Sequence, residues 1–209
     1  MIYLLGGPPR TGKSVLSAQI CRKHGLSAVS TDSLGAALEH VLTPEAEPDL
    51  FVFAKFNELP MEERVGLMTG DPNVFLNCAI AESRVIWRCA KAFIAKEQDE
   101  GRDVLIEGVA VLPELVAELQ NIDYRVVFIG NRGSAHSDNI RQGVRENARD
   151  WMGSVSDDYI EAFAGVVRRM SAFLEEEAKR FGFPYFEMDG KPFGGVASTL
   201  AQWLGLKAG

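Results

Sequence analysis

Cysteine is scarce in this sequence, and the three that occur, Cys21, Cys78 and Cys89, are widely separated and odd in number. A disulfide scaffold needs more cysteines, in pairs, within a shorter chain. The eleven-residue separation between Cys78 and Cys89 is also not a metal-ligand spacing. We therefore expect reduced thiols and a cytoplasmic protein.

Positive charge is in deficit, with 22 Lys and Arg against 29 Asp and Glu and a net charge of −7. Nucleic acids and anionic membranes attract basic surfaces, so we expect neither as a partner. No apolar run approaches the roughly 18 residues of a membrane span. Only four apolar residues precede the first glycine, without a basic flank, which does not resemble a signal peptide.

The chain is nevertheless long and apolar enough for one packed domain, with 209 residues and 46% hydrophobic content. We predict a single domain over residues 1–209, as a monomer or homodimer. Short apolar strands alternate with long helical patterns, which predicts an α/β fold with helices on both faces of a parallel sheet. The predicted strands are Ile2–Leu5, Leu26–Ser30, Val104–Ile106, Tyr124–Ile129 and Pro184–Met188. The predicted helices are Lys13–His24, Val74–Gln98, Asp157–Phe181 and Gly195–Leu204, with Ser156 as a helix cap.

Two segments interrupt this alternation and are predicted to be irregular. Residues 43–72 combine four prolines with acidic residues, and residues 131–153 are polar and rich in arginine. Both should extend from the carboxyl ends of strands, where open α/β sheets bind ligands. We interpret them as insertions on the substrate side of the sheet. Aromatic residues are present in ordinary numbers and are expected to belong to the core.

The most specific motif is GPPRTGKS, which matches G-x-x-x-x-G-K-[ST] in full between a predicted strand and a predicted helix. Its glycines allow successive backbone N–H groups to face phosphate oxygens, and the helix dipole favours the same charge. Lys13 would reach the β- and γ-phosphates, and the Ser14 hydroxyl would bind Mg²⁺. We predict that ATP and Mg²⁺ bind here. The predicted nucleotide-binding residues are Gly7, Pro8, Pro9, Arg10, Thr11, Gly12, Lys13, Ser14 and Val15.

This loop, together with STDS at Ser30–Ser33 and IEG at Ile106–Gly108, resembles the P-loop small-molecule kinases related to nucleoside-monophosphate kinases. That group includes adenylate, shikimate, gluconate and 2-phosphoglycerate kinases. The resemblance implies a three-layer α/β/α P-loop fold with a five-stranded parallel sheet. It also implies a substrate-binding insertion, here residues 43–72, and an arginine-bearing lid, here residues 131–153.

Two carboxylates are candidates for the reaction centre. The resemblance implies that Asp32 orients or deprotonates the acceptor, or helps to hold Mg²⁺. The alternative is that Thr31 or Asp32 caps a helix beginning near Leu34. Glu107 stands where a strand-end acid binds Mg²⁺ or substrate, with Gly108 beside it, although Asp is the usual residue there. Otherwise Glu107 is a solvated strand-end acid.

Several arginines could bind anionic groups. Arg141, Arg145 and Arg149 would share one helix face, and the resemblance assigns Arg141 and Arg145 to catalysis in the lid. The alternative is an exposed face with ion pairs to Asp138, Glu146 and Asp150. Arg84 and Arg88 are candidate substrate-binding residues, or equally members of helix-surface ion pairs. Three polar residues of the first insertion could also contact substrate, without a ranking among them: Lys55, Asn57 and Arg64.

The predicted function is transfer of the γ-phosphoryl group of ATP to a small hydroxyl- or phosphate-bearing acceptor. A regulatory nucleotide hydrolase without an acceptor is the alternative, and a binding protein without turnover is a third possibility. The segment IEGVAVLP at Ile106–Pro113 is similar to the IEGVHLVP of 2-phosphoglycerate-kinase-like proteins. Ala110 replaces the histidine of that pattern, so the acceptor stays open.

Overall fold

The computed structural model describes residues 1–206, and its centre is a parallel sheet of five strands in the order β2-β3-β1-β4-β5. The strands are β1 (Ile2–Gly6), β2 (Ser27–Ser30), β3 (Val104–Gly108), β4 (Tyr124–Gly130) and β5 (Tyr185–Glu187). Each paired strand runs parallel to its neighbour. The predicted five-stranded parallel sheet is confirmed, and its strands lie within a few residues of the predicted ones.

Helices connect the strands. They are α1 (Lys13–His24), α2 (Thr31–Val41), α3 (Val52–Glu58), α4 (Met61–Gly70), α5 (Pro72–Asp99), α6 (Pro113–Ala117), α7 (His136–Glu146), α8 (Asp157–Phe181) and α9 (Phe193–Trp203). Two 3-10 helices cover Pro48–Phe51 and Trp151–Ser154. Within residues 1–206, no helix is both long and apolar enough to cross a membrane.

The side chains of β1, the central strand, alternate between the two faces of the sheet, and this gives the fold its three layers. Ile2 and Leu4 of β1 pack into a core with residues of α5 and α8, such as Ile94. Tyr3 and Leu5 face the other way, into a core with α1 and α9. Because successive side chains of a strand point to opposite faces, one short apolar strand supports helices on both sides. This arrangement is the predicted α/β/α fold.

The two segments predicted to be irregular are largely helical. Residues 43–72 contain a 3-10 helix, α3 and α4, and residues 131–153 contain α7. The prolines of residues 43–72 made this helical structure hard to predict from the sequence. Pro48, however, occupies the start of the 3-10 helix, where the backbone N–H has no partner within the helix and its absence costs nothing. Apolar side chains such as Met68 and Ile140 pack with α8 in a third core cluster. Packing against that long helix explains helicity that the local sequence did not reveal.

The alternative in which Thr31 or Asp32 caps a helix beginning near Leu34 is wrong. Helix α2 begins at Thr31, and Ser30 is its N-cap, because the Ser30 hydroxyl accepts a hydrogen bond from the Asp32 backbone at 3.2 Å. Ser156 caps α8 as predicted, by accepting from the Tyr159 backbone. The Asp32 side chain is therefore not used as the cap.

Candidate active site

The glycine-rich loop between β1 and α1 depends on backbone that other residues could not adopt. Gly12 has a φ of 86° and is the N-cap of α1, and a Cβ there would collide with the Phe193 ring. A Cβ on Gly7 would lie 2.8 Å from the carbonyl oxygen of Ile129. The loop is thus pressed against β4 and α9, and its glycines allow that close approach.

Lys13 lies inside this loop and is 7% exposed. Its ammonium donates a hydrogen bond to the Pro8 carbonyl at 2.8 Å, and the Thr11 hydroxyl donates to the same oxygen at 2.8 Å. Burial lowers the pKa of Lys13, and the charges of Glu107 and Asp32 oppose that shift. Both carboxylates are therefore close enough to act on the lysine.

Strand register explains why Glu107 reaches the loop. Glu107 pairs with Leu5 of β1 on one side and with Ser30 of β2 on the other. Its side chain is 4% exposed and accepts a hydrogen bond from the Ser14 hydroxyl at 3.0 Å. A buried carboxylate thus meets the first turn of α1.

The oxygen atoms of Ser14 and Glu107 are of the kind that usually hold a phosphate-bound Mg²⁺. Residues 1–206 contain no cluster of three or more His, Cys, Asp or Glu that would form a complete metal cage. Mg²⁺ in phosphoryl-transfer sites typically uses one or two carboxylates and completes its coordination with water and phosphate oxygens. The Ser14 hydroxyl and Glu107, with Asp32 nearby, match that donor set.

Asp32 lies in the first turn of α2, with an exposed side chain at the border of a large cavity. Behind it, Thr31 is buried and its hydroxyl accepts a hydrogen bond from the Ala110 backbone at 3.4 Å. Gly108 has a φ of 149°, and a Cβ there would collide with the Thr31 hydroxyl. Close contact between Thr31 and Gly108 therefore fixes the position of Asp32 relative to β3.

The cavity has a volume of about 560 Å³ and extends from Pro9 and Asp32 toward α3, α4 and α8. Two charged side chains besides Asp32 line it, Arg64 of α4 and Glu82 of α5. Burial, followed by the charges of Glu39 and Asp32, raises the pKa of Glu82 to about 7. The cavity thus lies between the glycine-rich loop and the segment at residues 43–72.

An ion pair joins the glycine-rich loop to the segment at residues 131–153. The Arg10 guanidinium donates to the Asp150 carboxylate at 2.7 Å, and Arg10 has a φ of 63°. Burial opposes ionisation of Asp150, yet hydrogen bonds from Arg10 and from the Met152 backbone hold its pKa below the usual range. Asp150 therefore holds the 3-10 helix and the phosphate loop together.

His136, at the start of α7, is 2% exposed. Neither ring nitrogen has a hydrogen-bond partner among the described residues. Burial, with the charges of Arg168 and Arg10, lowers its pKa to about 4. At neutral pH the imidazole of His136 is therefore neutral, and it lies close enough to Arg10 and Arg168 for their charges to act on it.

Comparisons with known proteins find relatives among the kinases. The chain is 28% identical over 190 residues to the 2-phosphoglycerate kinase of Pyrococcus horikoshii and 25% identical to that of Pyrococcus furiosus. Each match covers 90% of this chain and 59% of the relative. The chain thus spans about three fifths of the length of these relatives. No family model matches the sequence.

Solved structures share the fold. A sugar kinase from Janibacter sp. has a TM-score of 0.58 at 11% identity, covering 99% of this chain and 95% of that one. A shikimate kinase from Bacteroides thetaiotaomicron has a TM-score of 0.56 at 14% identity, covering 99% of each chain. The chain is thus similar to P-loop small-molecule kinases in sequence and in fold. The resemblance predicted from the sequence is confirmed.

The three arginines predicted for the lid, Arg141, Arg145 and Arg149, do not line the cavity. Arg141 pairs with three carboxylates, those of Asp138, Asp157 and Glu161. Arg145 and Arg149 are exposed, and neither forms an ion pair within residues 1–206. The catalytic role of Arg141 and Arg145 stays a prediction, and for Arg141 it would require release from its carboxylates.

Arg84 and Arg88 also have partners outside the cavity. Arg84 pairs with Glu114 at 2.9 Å and Arg88 with Glu47 at 2.5 Å, and both arginines are more than half exposed. These contacts are the surface ion pairs that the sequence allowed as an alternative. Exposed pairs of this kind contribute little to stability, so substrate binding by either arginine stays a prediction.

Sequence reasoning missed the aromatic wall of the cavity. Six rings line it, although the sequence placed aromatic residues in the core: Phe53, Phe56, Phe75, Trp151, Tyr159 and Phe163. Tyr159 and Phe163 are indeed buried in a core cluster, whereas Trp151 is 56% exposed. In the sequence, the FVF run at Phe51–Phe53 within a polar segment was the feature that could have indicated this aromatic wall.

Proposed function

We propose that this protein transfers the γ-phosphoryl group of ATP to a small hydroxyl- or phosphate-bearing acceptor, with Mg²⁺ as cofactor. The observation that supports this most strongly is the junction at Asp32. There the phosphate loop, with Lys13, Ser14 and Glu107, meets a cavity large enough for a small acceptor.

Each residue of the junction has a chemical role in the proposed reaction. The loop N–H groups and Lys13 bind the phosphates and offset the charge that develops on the transferring group. Ser14 and Glu107 would hold Mg²⁺, which neutralises phosphate charge when bound. The nucleotide-binding role of residues Gly7 to Val15 belongs to the same proposal.

Asp32 is the proposed acceptor-orienting group and base. The acceptor oxygen forms a bond to the γ-phosphorus as the bond from that phosphorus to the β–γ bridging oxygen breaks, which releases ADP. The hydroxyl proton passes to the Asp32 carboxylate. Positioning and electrostatics supply most of the acceleration in such reactions, so these few residues suffice.

Residues 43–72 are proposed as the acceptor-binding insertion and residues 131–153 as a lid. Helices α3 and α4 form one wall of the cavity, and Trp151 and Ser154 of the 3-10 helix form another. Closing such walls over a triphosphate would exclude water and suppress hydrolysis. A regulatory hydrolase needs no cavity beside the phosphate loop, and this favours transfer over the alternative.

A panel of acceptors tests the proposal. Purified protein is incubated with ATP, Mg²⁺ and each candidate in turn, including nucleoside monophosphates, phosphoglycerates, sugar acids and ring alcohols. We expect release of ADP that depends on one class of acceptor, together with the phosphorylated product by mass spectrometry. Slow ADP release that no acceptor stimulates would favour the regulatory hydrolase, and absence of nucleotide binding would refute both.

A further inference from the structure

The side chains that line the cavity indicate which kind of acceptor would fit there. The six lining rings form one contacting network, with centroid separations of 4.6 Å for Phe53–Phe75, 5.7 Å for Phe75–Phe163 and 6.1 Å for Trp151–Phe163. Such edge and tilted contacts are typical of stable aromatic clusters. The cavity therefore presents a continuous ring surface beside Asp32.

Part of this ring surface is not covered by protein. Phe53, Phe56 and Phe75 are only partly buried, and Trp151 is 56% exposed. Covering apolar surface with an apolar ligand is favourable. Ligand pockets are typically apolar and aromatic, with a few polar groups that fix orientation. A ring-sized apolar body would fill this space, whereas a small polyanion would leave the rings in contact with water.

The charges lining the cavity point to at most one anionic group on the ligand. Arg64 is the only lysine or arginine among the lining residues that the structure describes. Its Nε atom is buried without a hydrogen-bond partner in that part of the chain, and its guanidinium lies 5.6 Å from the Tyr159 ring centroid. A carboxylate would satisfy this donor, because guanidinium groups bind planar anions through paired hydrogen bonds.

The remaining charges oppose a ligand with several negative charges. Asp32 and Glu82 both line the cavity, and burial, followed by the charges of Glu39 and Asp32, favours the protonated form of Glu82. Arg64 can pair with one anionic group, so a phosphoglycerate, which brings both a phosphate and a carboxylate, would leave negative charge unpaired near Asp32. The relatives named 2-phosphoglycerate kinase therefore do not predict the acceptor of this chain.

We propose, on the basis of the function proposed above, that the acceptor is a ring-bodied alcohol with a single carboxylate-like anionic group. Arg64 binds the anion, the ring wall packs against the body, and the hydroxyl faces Asp32. Arg64 is then a residue that determines specificity, supplied by the insertion at residues 43–72.

Three probes of graded charge test this assignment on the full chain. They are 4-(hydroxymethyl)benzoate, benzyl alcohol (the same ring without the carboxylate) and 2-phosphoglycerate. Their binding is measured by isothermal titration calorimetry, which needs no turnover. We expect 4-(hydroxymethyl)benzoate to bind at least about tenfold more tightly than either other probe, as one charge-assisted hydrogen-bond pair would give.

Variants separate the contributions of charge and ring. In Arg64→Met, the affinity for 4-(hydroxymethyl)benzoate should fall to about that of benzyl alcohol. Phe75→Leu should weaken both ring probes alike. The matched control is Arg180→Met, because Arg180 lies near the far end of α8 and pairs with Glu177. It should leave all three affinities unchanged.

Two results would overturn the assignment. One is tighter binding of 2-phosphoglycerate than of 4-(hydroxymethyl)benzoate, and the other is no binding of either ring probe. Both leave the phosphotransferase proposal intact if ADP release still depends on an acceptor. Conversely, selective binding of 4-(hydroxymethyl)benzoate without transfer to any acceptor would refute the proposed function and keep the assignment of the ligand class.

Discussion

The two ends of the proposed active site are built differently. At the nucleotide end, consecutive loop residues and one strand-end acid form a compact polar site, in which Ser14 and Glu107 are hydrogen bonded. At the acceptor end, α3, α4, α5, α8 and a 3-10 helix each contribute a few mostly apolar side chains. A local motif defines the first end, whereas tertiary packing defines the second. Substitutions should therefore separate binding at the two ends.

The largest effect is expected from Lys13→Ala. Removing the ammonium should lower phosphoryl transfer by at least about 10³-fold, because the charge that develops on the phosphates loses its buried cation. Binding of a ring probe in the cavity should be unchanged, since Lys13 does not line it. Transfer rates and calorimetry measure the two effects, with the exposed Lys23→Ala as a control. Loss of both phosphoryl transfer and ring-probe binding would mean that substitutions cannot separate the two ends.

Asp32→Asn tests the boundary between the two ends. General-base catalysis is typically worth about 10²–10⁴-fold, so kcat should fall within that range while KM for the acceptor changes little. The asparagine preserves the shape, and the Ser30 cap does not use the Asp32 side chain. Steady-state kinetics of the wild-type protein and the variant measure both constants. An unchanged kcat would reduce Asp32 to a surface residue of α2.

Gly108→Ala should disturb both ends through the fold. The new methyl group would collide with the Thr31 hydroxyl, at a φ that side chains rarely adopt. We expect a loss of about 2–4 kcal/mol in the free energy of unfolding, measured by urea denaturation. Gly101→Ala is the matched control, because Gly101 also has a positive φ but its Cβ would meet open space. An equal loss in both variants would show that backbone strain alone is responsible.

The smallest effect is expected at Glu82. Its folded pKa of about 7 lies above the usual value of 4.5, so the folded state binds the extra proton between those pH values. Its contribution to stability is therefore fully present below about pH 4.5 and is lost as the pH rises through 7. Partial exposure to solvent limits this contribution to about 1–3 kcal/mol.

Glu82→Gln removes that titration. The difference in unfolding free energy between the two proteins should shift in favour of the variant as the pH rises from 5 to 8. His136 has the opposite dependence, because its lowered pKa costs stability as the pH falls from 6.5 toward 4. That contribution is common to both proteins and cancels in the difference. A difference that is independent of pH would contradict the assignment at Glu82.

The sequence predicted the position of the glycine-rich loop and its flanking elements for physical reasons. GPPRTGKS is one continuous stretch whose glycines, lysine and serine each have a specific requirement, and β1 and α1 flank it as expected. The position of Glu107 followed from the end of an apolar strand. Register then placed it beside Leu5 and Ser30.

The acceptor end could not be predicted in the same way. Phe53, Phe75, Trp151 and Phe163 are distant in sequence and meet only when α3, α5, the 3-10 helix and α8 pack together. A helical spacing of arginines suggested phosphate binding by Arg141, but it could not reveal the carboxylates of Asp157 and Glu161 on α8. Side chains that act through tertiary contacts leave little trace in local sequence.

The ion pair between Arg10 and Asp150 has a consequence for ligand selection. The Asp150 carboxylate is already paired with the Arg10 guanidinium, as an anionic group of a ligand would be. Any anion arriving at Arg10 must outcompete a tethered group whose effective concentration is high. In the proposed nucleotide complex, a phosphate bound by Arg10 would therefore have to replace an ion pair that also anchors the 3-10 helix carrying Trp151.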